Sequence, residues 1–195
     1  MVHRNSTRPP RRVPNATLRS WEYLTPDEVK RLRIAAKSIG RNRLRDGTLI
    51  LLAYRHGLRV SELIDLRWEQ VDLKRRLLHV RRLKNGTSSN HPLAKKECRC
   101  LRRLRKPQPE SRFVFVSERK GPLTSSAVRK MIARAGKYSR MPFSVHPHML
   151  RHACGYKLAN DGHDTCAIQH YLGHINHTVR YTELSPDRFR GFWKD

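Results

Sequence analysis

Acidic residues are scarce in this chain. Its 195 residues carry 16 Asp and Glu against 42 Lys and Arg, a formal net charge of +26, and the pI is about 11.2. That imbalance implies a polyanionic partner, with nucleic acid the first candidate and an anionic membrane surface the second. Long apolar runs are missing too. None approaches the roughly 20 residues of a membrane span, so no spanning segment is expected. The N-terminal MVHRNSTRPPRRVPNATLRS is basic but has no apolar stretch, which excludes a secretion signal. Cysteine is limited to Cys98, Cys100, Cys154 and Cys166. They form no CxxC pair and no zinc-finger spacing, so core thiols in a reducing compartment are expected. The histidines His146, His148, His152, His163, His170, His174 and His177 crowd the C-terminal part without HExxH or Cys₂His₂ spacing. Neither a metal site nor a cofactor is expected.

What is present suffices for one substantial domain. Hydrophobic residues make up 37% of the chain, and their periodicity alternates between helix and strand values. Residues 1–20 contain Arg4, Arg8, Arg11, Arg12 and Arg19, no acids and three prolines. They read as a disordered basic arm, either a solubilising tail or a DNA-tracking one. Thr25-Pro26-Asp27-Glu28 opens a helix, with Thr25 as N-cap, Pro26 at the first position and Glu28 closing a capping box. Val29, Leu32 and Ile34 to Ala36 give that helix an apolar side. A second helix, buried on most sides, is expected over Arg43–His56 and stops at Gly57. A short one follows over Val60–Leu66.

From Trp68 the period changes to two. Val71–Leu73, Leu77–Leu83 and Ser88–Leu93 read as strands, with a turn at Asn85-Gly86. Further helices are expected over Ala94–Leu104, Ser125–Tyr138, Pro147–Asn160, Thr165–Leu172 and His177–Glu183, and a short strand over Phe113–Ser117. The fold class is therefore mainly α with a small antiparallel β-sheet (α+β).

Residues 146–181 read HPHMLRHACGYKLANDGHDTCAIQHYLGHINHTVRY. On a helix, His148 and Arg151 are three apart and neighbours. His174 follows in YLGH, and Tyr181 comes seven residues later. Upstream, RHGLRVSEL supplies Arg59 and RRLKNG supplies Lys84. These residue types suit attack by a tyrosine oxygen on a phosphodiester. The five-coordinate phosphorus of that reaction carries extra negative charge. Planar guanidinium groups at Arg59 and Arg151 suit its non-bridging oxygens. His148 and His174 add hydrogen bonds. Lys84 can protonate the leaving 5′ oxygen, and Tyr181 is the nucleophile.

Plainer readings stand beside these. Arg59 can be a surface charge, Lys84 an ordinary hairpin lysine, and His148 with Arg151 a helix-start pair. His174 can be a helix cap and Tyr181 a core aromatic. Tyr156 and Tyr171 fit as core residues, and His146 and His152 as structural ones. Arg81, Arg82, Lys95, Lys96, Arg99, Arg102, Arg103 and Arg105 read as a phosphate-facing surface.

In the same order, G-L-R-x-S-E-L, the hairpin lysine, H-x-x-R, L-G-H and the late tyrosine resemble the tyrosine recombinase (phage integrase) family. The segments HPHMLRHACGYKLAN, IQHYLGH, HTVRYT and RFRGFW resemble in particular the small recombinases that invert the type 1 fimbrial switch. The resemblance runs from about Tyr23 to Trp193. It implies catalytic roles for Arg59, Lys84, His148, Arg151, His174 and Tyr181, with Glu62 supporting the pocket. It also implies a catalytic domain over residues 21–195 without a separate N-terminal core-binding domain. Double-stranded DNA is the implied partner, bound by four protomers on two sites with possible accessory DNA-bending proteins, in a bacterial cytoplasm at the nucleoid. Inversion, integration or excision are all open.

One departure matters. The seven-residue interval from His174 to Tyr181 is about two short of the family's usual spacing, and two residues of helix turn the chain by about 200° and advance it by about 3 Å. The rival reading is thus a catalytically impaired DNA-binding regulator of the same fold. A general RNA- or ribosome-binding protein explains the charge but not the constellation. Whichever holds, affinity for duplex DNA is expected to fall steeply with salt, with a log–log slope of about −0.9 per neutralised phosphate. A fluorescence-anisotropy titration over about 50–200 mM salt measures it, and a flat response excludes backbone-dominated binding.

Overall fold

The computed structural model describes residues 22–82 and 87–173. The basic arm, the Asn85-Gly86 turn and the helix expected over His177–Glu183 lie outside the described residues.

The first helix, α1 (Pro26–Ser38), begins as its sequence dictates. The Thr25 hydroxyl accepts the Glu28 backbone N–H at 3.3 Å, and the Glu28 carboxylate accepts that of Thr25 at 2.8 Å. Its inner face is Val29, Leu32, Ala35 and Ala36. Ile34, expected on that face, is 56% exposed. It stands two positions from Leu32, about 200° round the helix. Helix α2 (Arg43–Arg55) is buried from Asp46 to Ala53 and packs on α1. It ends before Gly57, whose φ of +57° reverses the chain. A Cβ there would collide with the Leu172 side chain. Helix α3 (Val60–Ile64) follows at once.

Strands β1 (Val71–Asp72), β2 (Leu77–Val80) and β3 (Ser89–Pro92) form one antiparallel sheet in that order. Leu78 sits opposite both Val71 and His91, and Val80 opposite Ser89. The strand expected over Phe113–Ser117 is absent. The segment makes only isolated bridges, Arg67 to Phe113 and Val116 to Pro122. It crosses from one partner to another, Val114 N–H bonding Leu66 and Ser117 N–H bonding Gly121, so no ladder extends.

Helices α4 (Lys95–Arg105), α5 (Ser125–Tyr138), α6 (Pro147–Asn160) and α7 (Thr165–Leu172) complete the described fold. One core cluster joins Leu32, Leu49, Leu52, Leu63, Leu78, Leu101, Phe115, Ile132 and Leu150. A smaller one, of Cys154, Ala159, Ile168 and Leu172, ties α7 to α6. Cys98, Cys100 and Cys154 are buried thiols, whereas Cys166 is exposed in the first turn of α7, contrary to the expectation of core thiols throughout. Tyr156 stacks on Tyr23 at 3.8 Å. No helix among the described residues is long and apolar enough to cross a membrane.

A polar chain runs through the interior where α2, β3, α4 and α7 meet. The His56 ring lies 3.0 Å from the Glu97 carboxylate and 3.3 Å from the His91 ring. His91 reaches the Ser89 hydroxyl at 2.8 Å and stacks on Tyr171 at 3.8 Å. The Tyr171 hydroxyl donates to the Arg55 carbonyl. Burial, followed by the nearby His56 and Arg82, pushes the His91 pKa down to about 3 from 6.5. The folded protein therefore keeps His91 neutral in a range where the unfolded chain protonates it. Stability falls as pH drops below about 6.5, by about 1.4 kcal/mol per unit from this ring alone, until the slope flattens near the folded value. Urea denaturation at pH 7 and pH 5 measures this slope. The expected outcome is that His91→Gln reduces it, whatever that substitution does to stability at pH 7.

Candidate functional site

The GLRVSEL stretch folds so as to present Arg59. Gly57 turns the chain and Leu58 is buried. Arg59 then sits extended immediately before α3, with φ −73° and ψ 159°. Glu62, in the first turn of α3, accepts the Arg59 backbone N–H at 2.8 Å and its guanidinium at 3.0 Å. The carboxylate is buried, while the Arg59 side chain remains 28% exposed. Glu62 thus holds both ends of Arg59.

Arg59 opens into a cavity of about 580 Å³. Its walls are Leu58, Arg59, Val60 and Ser61 from the corner between α2 and α3, Ser125 and Arg129 from α5, and His146, Pro147 and His148 from the start of α6. Pro147 occupies the first turn of α6 and suits it, since the missing N–H has no helical partner there. His148 follows at the rim, its ring edge-on to His152 at 4.6 Å. Crowding of the ring by its surroundings, then the positive charges of Arg151, His146 and Arg59, hold its pKa below the usual histidine value. At pH 7 His148 is therefore a neutral hydrogen-bonding group. The permanent positive charge of the cavity comes from Arg59 and Arg129.

Arg151 stands one turn beyond His148 but points inward. Its side chain is among the largest fully buried ones. The guanidinium donates to the carbonyls of Gly57 and Leu172, the latter at 2.6 Å. Arg151 thus lies beneath the Arg59 corner and fastens it to the end of α7. Lys84, His174 and Tyr181 lie outside the described residues. Of the six expected catalytic residues, the described structure brings Arg59 and His148 to one cavity, with Arg151 directly behind.

Arg82 corrects the sequence reading. It was expected on a phosphate-facing surface, yet its side chain has no exposure and pairs with Glu62 at 2.8 Å. It also donates to the His56 carbonyl at 3.3 Å and the Tyr171 carbonyl at 2.5 Å. A signal was available. Leu78 and Val80 face inward on β2, and Arg82 continues their two-residue period. The rest of the basic set lies at the surface: Arg81, Lys95, Lys96, Arg99, Arg102, Arg103 and Arg105 are exposed. Ser125 and Arg129 were not singled out at all. They belong to an otherwise ordinary amphipathic helix, and only its packing beside the α2–α3 corner brings them to the cavity.

Residues 22–188 match the sequence model of the Phage integrase family. The type 1 fimbriae regulatory protein FimE of Escherichia coli K12 is 44% identical over 180 residues, covering 88% of this chain and 90% of that one. FimB of the same strain is 42% identical over 178 residues, covering 88% of each. Among solved structures, the crystal structure of XerA recombinase superposes with a TM-score of 0.76 at 28% identity, over 94% of this chain and 65% of that one.

Removing Arg151 strands the buried Leu172 carbonyl and leaves that of Gly57 with only its 3.4 Å bond from Arg82. Arg151→Ala is expected to lower stability by about 3 kcal/mol in urea denaturation. Arg151→Lys is expected to recover less than half of the loss, because one ammonium cannot reproduce a planar fork on two carbonyls. A loss below about 0.5 kcal/mol would show that the fastening is dispensable.

Proposed function

The chain belongs to the phage integrase family, and we propose that it is a site-specific DNA recombinase that cuts and rejoins duplex DNA through a 3′-phosphotyrosyl intermediate. The observation that carries this reading is the meeting of Arg59 and His148, far apart in the sequence, in one open cavity that Arg129 also lines. A phosphodiester entering it meets the exposed part of Arg59 and the neutral ring of His148. Arg59 stabilises charge on the non-bridging oxygens, and His148 contributes a hydrogen bond. Arg151 adds its charge from behind the corner.

In this scheme the Tyr181 oxygen attacks phosphorus and forms the phosphotyrosyl bond. The bond to the 5′ oxygen breaks, and Lys84 supplies the proton that this oxygen takes. A 5′ hydroxyl from the partner strand then attacks the phosphotyrosine, and Tyr181 leaves. One phosphodiester is exchanged for another, so no ATP is consumed. His174 joins His148 on the phosphate.

Four protomers on two sites would carry out the exchange through a Holliday junction, with DNA-bending proteins as possible accessories. The segment after Tyr181, with Phe189, Phe192 and Trp193 as anchors, is the candidate for coupling neighbouring protomers. The likeness to FimE and FimB favours inversion of a short element over integration or excision, and the protein would act in the cytoplasm, at the nucleoid. The arm over residues 1–20 would track the DNA backbone, and residues 21–195 would be the catalytic domain.

The short interval between His174 and Tyr181 supports a second reading, a regulator that keeps the fold and binds DNA without cutting it. A covalent trap separates the two. Wild type and Tyr181→Phe are expressed in cells, the lysates are denatured, and DNA still attached to protein is sequenced. Adducts in wild type alone are expected, and they identify nucleophile and target together. No adduct in either, with DNA bound under native conditions, establishes the regulator.

A further inference from the structure

Glu62 carries one negative charge and touches two guanidinium groups. Its Oε1 accepts from Arg59 at 3.0 Å, and its Oε2 accepts from Arg82 at 2.8 Å. The carboxylate and Arg82 are essentially without exposure, whereas Arg59 reaches the cavity. Two cations on one anion leave one net positive charge, and only Arg59 can carry it to a ligand. A buried carboxylate facing Arg59 alone would draw that guanidinium into a neutral pair and away from the cavity. Arg82 prevents this by taking up the charge of Glu62 from the interior.

The same side chain reaches the other flank of the site. Arg82 donates to the Tyr171 carbonyl in the last turn of α7. Gly173, with φ +65°, lies so close that a Cβ would stand 2.6 Å from the Arg82 Cγ and 2.8 Å from its Nε. The glycine of L-G-H is therefore required by contact with Arg82 as well as by its own backbone. His174 is the next residue. One buried arginine thus touches the support of Arg59 and the peptide leading into His174.

The structure assigns Arg82 as a positioning residue for the recombination chemistry: by sharing Glu62 it leaves the charge of Arg59 uncompensated and its guanidinium aimed into the cavity. This assignment rests on the recombinase reading for its catalytic consequence but not for its geometry. It differs from a purely structural clamp in one respect, because its effect depends on the charge of the phosphate that Arg59 meets.

The test compares Arg82→Met with wild type in single-turnover cleavage of the site recovered by the covalent trap. It uses a normal scissile phosphodiester and a neutral methylphosphonate in its place. Misaiming Arg59 is expected to slow cleavage of the phosphodiester about 100-fold and that of the methylphosphonate less than about 10-fold, since the neutral centre asks less of a cation. Equal losses on both substrates would overturn the assignment and leave Arg82 as a clamp. If Arg82→Met does not fold, Arg82→Lys takes the same comparison, with smaller losses in the same pattern.

A second readout needs no catalysis. In ¹⁵N arginine side-chain NMR, the Arg59 Nε–H resonance, identified by its loss in Arg59→Lys, is expected to shift in Arg82→Met and to move back towards wild type in Arg82→Lys. An unmoved Arg59 resonance overturns the assignment even if the protein cleaves DNA. A moved resonance in a protein that forms no adduct upholds the positioning and refutes the recombinase reading.

Discussion

Two guanidinium groups buried in the same small volume govern this structure. A buried cation must be paired and hydrogen-bonded or its desolvation goes uncompensated. Arg82 and Arg151 meet that demand with the same pieces of backbone. Both donate to the Gly57 carbonyl, Arg151 reaches Leu172, and Arg82 reaches Tyr171 and His56. The corner after α2 and the end of α7 are thereby held against each other. Because Arg59 lies two residues past Gly57 and His174 one past Gly173, satisfying the buried charges also sets where the functional segments start.

Among the described residues, the exposed cations and the buried ones obey different physics. On α4, Cys98, Cys100 and Leu101 face the core while Arg99, Arg102 and Arg103 face water. Such exposed charges are screened and interchangeable, and they suit long-range attraction to a polyanion. Arg82 and Arg151 act at contact distance, in an interior where a guanidinium cannot be traded for an ammonium without losing its fork. A composition of 42 basic residues hides this distinction completely.

That is why legibility was uneven. Local signals succeeded where local physics decides. The Thr25–Glu28 capping box, the stop at Gly57 and the boundaries of α5, α6 and α7 could all be read from side chains within a few positions of each other. Arg59 and Glu62 were paired only through the family resemblance, and the structure supplies the local reason for their contact: Glu62 caps the turn that Arg59 begins. The strand over Phe113–Ser117 failed because its apolar pattern says nothing about whether one partner or two will pair with it. Arg82 failed for a related reason. A basic residue next to a predicted turn reads as exposed, and only the inward register of Leu78 and Val80 together with the distant Glu62 carboxylate explains its burial. Arg129 reaches the cavity by helix packing alone, for which no short-range signal exists.

The anchoring of α7 also bears on the short interval before Tyr181. Gly173 is wedged against Arg82, and the Leu172 carbonyl is held by Arg151, so the end of α7 is held in place. Adjustment upstream would have to break bonds to buried guanidinium groups, at about 1–3 kcal/mol for each carbonyl left unpaired. A short interval before Tyr181 is therefore not absorbed by moving α7 without that cost. The same two arginines that fix the corner before Arg59 thus also oppose any shift of α7 that the short interval would ask for.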